Sequence, residues 1–241
     1  MPIEYYKNKF IFWPDANHTP SLGIDSDRLP ECLAEVKCRS LKGVFGTRPF
    51  FRENNLDFLA TVPWLEAAQF WDVQLKNLAG LYALTNLQHL RLSGSRPPLI
   101  LDRFSKIHSL VWEYDAKDSG CQLLPVLENL YLWRYKSVNK TFEEISIPNS
   151  LRTLEINWSN VFTLFGLPYL PSLMHLEINR CRDLNSLGDL AEKCPNLESL
   201  FIVSSGRLPA TEAERVAVNL PKLRHLVAAN KLLLDPNSGT K

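Results

Sequence analysis

Apolar residues recur along the chain in a six-residue frame, apolar-x-x-apolar-x-apolar. It reads Leu87–Leu90–Leu92, Ile107–Leu110–Trp112, Leu127–Leu130–Leu132, Leu151–Leu154–Ile156, Leu173–Leu176–Ile178 and Leu197–Leu200–Ile202. Weaker copies stand at Leu65–Ala68–Phe70 and Leu223–Leu226–Ala228, and Leu33–Val36–Cys38 is expected to be a first copy. From Leu65 onward the starts lie 22, 20, 20, 24, 22, 24 and 26 residues apart. Alternation inside the frame is the period of a strand with one buried face. A unit this small cannot bury that face alone, so neighbours must stack. Parallel strands then line one surface, about 4.8 Å apart.

The unit LMHLEINRCRDL, Leu173–Leu184, fits the pattern LxxLxLxx(N/C)xxL with Cys181 at the Asn/Cys position. With eight or nine such units over residues 29–234, the chain resembles the leucine-rich-repeat family, in an irregular form of the intracellular type. The resemblance implies an α/β solenoid. In that fold a curved horseshoe carries parallel strands on its concave face and helix, 3-10 helix or loop on its convex side. Val73, Ser95, Asp115, Tyr135 and Ser159 take the Asn/Cys position elsewhere, so no regular asparagine ladder is expected.

One domain over 1–241 is expected. Residues 1–28, with Tyr5, Tyr6, Phe10, Phe12 and Trp13, form the N-terminal cap, 29–230 about nine repeats, and 231–241 the C-terminal cap and a frayed tail. Residues 42–60, with Phe45, Phe50 and Phe51, read as an insertion. On the return side, Thr211-Glu212-Ala213-Glu214 reads as a capping box with Thr211 as N-cap. Ala213, Val216, Ala217 and Leu220 follow on one helical face, and Leu187, Leu190, Ala191 and Cys194 make another. Ser93–Pro98 and Asp115–Gly120 read as loop or 3-10 helix.

If the frame residues point inward, the residues between them share the opposite face. These include Gln69, Trp71, His89, Arg91, Glu113, Tyr114, Tyr131, Trp133, Arg134, Glu155, Asn157, Trp158, His175, Glu177, Arg180 and Phe201. Aromatic and arginine side chains are the types that anchor interfaces. The expected protein-binding set is Trp71, Arg91, Glu113, Tyr114, Tyr131, Trp133, Arg134, Glu155, Trp158, Glu177 and Arg180. The competing reading is that the rings pack on each other. Glu155 and Glu177 fall at one register position on neighbouring strands, where like charges repel. Either Arg134 and Arg180 offset them, or a basic group on a partner does.

Composition narrows the function. The chain has 241 residues, 45% hydrophobic and 22% charged, with a net charge of +1, so it should fold, and neither nucleic acid nor an anionic membrane is suggested. No apolar run approaches the roughly 18 residues of a membrane span. Phe10–Trp13 is too short for a secretory core, so a cytoplasmic location is expected. Glycosylation-type triplets at Asn17, Asn139 and Asn157 then read as chance matches. Cys32, Cys38, Cys121, Cys181 and Cys194 form no CxxC, and free thiols are expected. His89, His175 and His225 are separated by four and two strands, about 19 and 10 Å by strand spacing, too far to share a zinc ion. Neither a phosphate loop nor a nucleophile-elbow motif occurs.

No enzyme activity, catalytic residue, cofactor or metal is therefore expected; an unrecognised hydrolase is the alternative of another class. The expected function is binding of one protein partner with a basic epitope, by a chain that is a monomer when free. A cognate inhibitor fits, for instance an immunity protein that blocks a toxin. The runner-up is an adaptor or substrate-recognition subunit.

Overall fold

The computed structural model describes residues 4–6, 10–16, 19–205, 207–228 and 231–234. The expected tail at 235–241 and the Asn17 triplet lie outside them. The strands are β1 (Glu4–Tyr6), β2 (Phe10–Ala16), β3 (Thr19–Gly23), β4 (Gly43–Thr47), β5 (Ala67–Gln74), β6 (His89–Ser95), β7 (Ser109–Glu113), β8 (Asn129–Trp133), β9 (Thr153–Asn157), β10 (His175–Asn179), β11 (Ser199–Val203), β12 (His225–Ala228) and β13 (Lys231–Leu234). Three helices are described: α1 (Leu29–Cys38), α2 (Leu190–Lys193) and α3 (Ala210–Ala217). Most other return segments are turns and single 3-10 turns, such as Leu81–Ala83 and Cys121–Leu123.

The chain divides into two compact units, residues 1–111 with 117–120, and 112–116 with 121–241. In the first, β1, β2 and β3 pair antiparallel, and β3 through β6 pair parallel in sequence order. In the second, β8 through β12 pair parallel and β13 returns antiparallel on β12. The segments expected as caps thus supply the antiparallel strands at the start and end of this order. In-register parallel strands joined by short return segments make the fold an α/β leucine-rich-repeat solenoid.

The hydrophobic frame is the core. Leu90, Leu92, Leu110, Leu130, Leu132, Leu154, Ile156, Leu176, Ile178, Leu200 and Ile202 are buried, as are the weaker-frame residues Ala68, Phe70, Leu226 and Ala228. Leu65, Leu87, Leu127, Leu151, Leu173 and Leu197, which open their frames, are buried ahead of their strands.

Four expectations are corrected. Leu33–Val36–Cys38 is not a strand copy: it lies in α1, where Cys32 and Val36, one helical turn apart, face inward and Pro30 occupies the first turn. The strand before β5 is β4, inside the segment read as an insertion. Its frame is hidden by Gly43 and Gly46. A Cβ on Gly43 would stand 2.0 Å from Ser21 Oγ, and one on Gly46 would stand 2.8 Å from the Phe70 ring. The capping box does not form either. Helix α3 has Pro209 as N-cap with no side-chain cap, because Thr211 already lies in its first turn. Glu212 instead accepts from Leu187 N and Ser186 Oγ at 3.0 and 3.2 Å, and from Arg215 Nε at 2.9 Å. Finally, Ser93–Ser95, read as loop, extends β6.

Candidate protein-recognition surface

Strand alternation that buries the leucines brings the residues between them onto the other face. In the second unit Tyr131, Glu155, Glu177 and Phe201 are register partners on β8 to β11, and Trp133 pairs with Asn157 and Asn157 with Asn179. Tyr131, Trp133, Glu155, Glu177 and Phe201 are half-buried, and Trp158 is 41% exposed. Asn157, expected in solvent, is buried and donates from Nδ2 to Glu155 Oε1 at 2.8 Å. Its triplet is therefore inaccessible for glycosylation.

The next position carries Arg134, Trp158 and Arg180, each two residues beyond the last inward side chain of its strand. All three have a left-handed backbone, with φ of 56°, 52° and 57°. Asp72, Gly94 and Ser204 share the position and the sign of φ. This turn lets the backbone leave the strand while its N–H still donates across the ladder: Arg134 to Asn157 O at 2.8 Å, Trp158 to Asn179 O at 3.0 Å and Arg180 to Val203 O at 3.0 Å. A side chain here costs about 1–2 kcal/mol, which glycine avoids. Three of these positions carry large side chains, which the sequence pattern does not mark as left-handed.

These groups form a ladder. The Trp133 and Trp158 rings meet edge to face at 5.0 Å, and the Arg180 guanidinium lies 5.0 Å over Trp158. Arg134 pairs with Glu113 at 2.7 Å. Tyr114 packs on Trp112 at 5.3 Å and edge-on to buried Tyr135 at 4.8 Å, so it belongs partly to the structure of its own unit. Both arginines that could have neutralised the two glutamates are thus engaged elsewhere. Among the described residues no salt bridge reaches Glu155 or Glu177. Burial raises the Glu177 carboxyl above its ordinary value, and the neighbouring Glu155 charge raises it further. Burial likewise raises the Tyr131 phenol, with Glu155 adding to it.

No protein-family model matches the sequence, and no curated protein does. Among solved structures, an internalin from Listeria monocytogenes is similar at 16% identity with a TM-score of 0.43, over 76% of this chain. The chain spans 60% of that protein's chain. The repeat assignment rests on the strand register and the buried frame described above.

Trp71 and Arg91, the first-unit members of the expected set, stand apart in character. Trp71 is half-buried and stacks on Phe45 at 5.8 Å with planes 8° apart, while Trp13 meets it edge-on at 6.3 Å. Arg91 lies 5.0 Å over the Trp71 ring. Trp71 is thus half-buried like Tyr131 and Trp133, against aromatic neighbours from β2 and β4 that the repeat frame does not reveal. No helix among the described residues is long and apolar enough to cross a membrane.

Proposed function

We propose that the chain is a non-enzymatic binding module. Its second-unit strand face holds one partner protein through a basic, aromatic-contacting epitope. The observation that carries this reading is the pair Glu155 and Glu177. They are register partners, unneutralised, and bordered by Tyr131, Trp133 and Trp158. A guanidinium or ammonium group seated there relieves their repulsion and lies against ring faces, where cations are attracted. Half-buried rings beside charged groups are the make-up of an interface hot spot. Glu113 with Arg134, and Arg180 on Trp158, border the same surface and set its polar rim.

Acting by occupancy, such a module suits a cognate inhibitor, of which an immunity protein that silences a toxin is one kind. Five free cysteines fit a reducing, cytoplasmic setting.

A peptide-display selection on the immobilised protein, run in parallel on Glu155→Lys/Glu177→Lys, tests the reading. Enrichment of sequences pairing Lys or Arg with aromatic residues on the wild type, lost on the double variant, is expected. Enrichment of acidic or uncharged peptides, or identical enrichment on both baits, contradicts it.

A further inference from the structure

Glu155 and Glu177 do not stand alone on the strand face of the second unit. Their register partners on β8 and β11 are Tyr131 and Phe201, so one row across the strands runs ring, carboxylate, carboxylate, ring. Beyond Phe201 the row continues to Val227 on β12. Adjacent members lie about 4.8 Å apart at the backbone, one strand spacing. Tyr131, Glu155, Glu177 and Phe201 are all half-buried. Phe201 belongs to this row although it lies outside the expected protein-binding set.

The first of the two acids is also held in place. Asn157, only 2% exposed, donates from Nδ2 to Glu155 Oε1 at 2.8 Å. Glu155 therefore cannot swing away from Glu177 without leaving a buried donor unpaired, which is costly. Burial lifts the Glu177 carboxyl above its ordinary value and the Glu155 charge lifts it further, so solvent does not fully screen the pair. A cation that fits must meet two carboxylates one strand spacing apart and give up water beside aromatic rings. An ammonium is a compact, strongly hydrated charge. A guanidinium is planar and weakly hydrated, offers separate donor edges to two carboxylates, and stacks on rings. We propose that the row takes an arginine side chain of the partner, its guanidinium bridging Glu155 and Glu177 between the Tyr131 and Phe201 rings, in preference to lysine. The assignment rests on the basic-epitope reading of this face and makes Phe201 a specificity-determining residue. The chain itself sets a guanidinium on a ring of the same surface, where Arg180 lies 5.0 Å over Trp158.

Three synthetic peptides, identical except for arginine, lysine or citrulline between two tyrosines, are titrated into the intact 15N-labelled protein. The same titrations are run on Phe201→Leu and Tyr131→Leu, which keep apolar bulk but remove the ring. Amide spectra that match the wild type away from the substituted strand show that each variant is folded. In the wild type the arginine peptide is expected to bind about tenfold tighter than the lysine peptide. Citrulline, similar in shape but uncharged, should give no saturable shift. In at least Phe201→Leu the advantage of arginine should fall to about threefold or less, with lysine binding little changed. Equal or tighter binding of the lysine peptide overturns the arginine assignment and leaves the basic-epitope reading standing, whereas saturable binding of neither charged peptide overturns both. An arginine advantage untouched in Phe201→Leu, or citrulline binding as tightly as arginine, also overturns the proposal.

Discussion

Arg96 and Asp118 form a two-pronged pair, Nη1 to Oδ1 at 2.7 Å and Nη2 to Oδ2 at 2.6 Å, with both side chains almost wholly buried. Oδ1 also accepts from Leu99 N at 2.7 Å, so the aspartate pins the return segment before Leu101. Removing one member strands the other charge. Arg96→Ala is expected to lower unfolding free energy by about 3–5 kcal/mol, measured by urea denaturation; a loss under about 1 kcal/mol contradicts this account of the pair. Glu177 behaves in the opposite sense. Its carboxyl is raised in the folded state, so between the unfolded value, about 4.3, and the raised value the native protein holds more protons than the unfolded chain. Stability therefore falls as pH rises through that window. Glu177→Gln removes the dependence. It is expected to be more stable than wild type at pH 7 by roughly 0.5 kcal/mol, with the gap closing towards pH 4. A gap independent of pH, or of opposite sign, contradicts the repulsion between Glu155 and Glu177.

At the scale of the element, each repeat solves one problem twice. Its strand buries a leucine frame, and at Asp72, Gly94, Arg134, Trp158, Arg180 and Ser204 the residue two beyond that frame takes a left-handed backbone. Glycine does this at Gly94, whereas Arg134, Trp158, Arg180 and Ser204 do it against their preference. Ser204 is exposed, and no side-chain hydrogen bond is described for it. Ser204→Gly is expected to stabilise the protein by about 0.5 kcal/mol, since relief of the left-handed strain exceeds glycine's extra chain entropy. Thermal unfolding measures this, and a destabilised variant contradicts the strain argument. The frame itself was legible in the sequence because a buried strand face has a strict period of two. What escaped were elements whose signal is not periodic. Strand β4 presents Gly43 and Gly46 where close backbone approach forbids larger residues, and α1 offers Val36 and Cys38 at spacings a strand frame also allows.

At the scale of the molecule, the recurring frame places the side chains between the leucines on one face, and that much of the candidate site was legible. Which of them stay available was not, because it depends on neighbours far away in the chain. Trp71 is half-buried against Trp13 of β2 and Phe45 of β4, while Trp158 is exposed. The pairing of Arg134 with Glu113 instead of Glu155 is likewise a tertiary choice. The resulting surface of the second unit is acidic and aromatic, on a chain whose net charge is only +1. Its indole resonances offer the most direct test. A short peptide of arginine and tyrosine is titrated into the 15N-labelled protein while the six tryptophan indole signals are followed. The account expects the Trp133 and Trp158 signals to shift saturably, buried Trp112 to stay unchanged, and the response to vanish in Glu155→Gln/Glu177→Gln. Shifts confined to other tryptophans, or a response untouched by the double substitution, would contradict it.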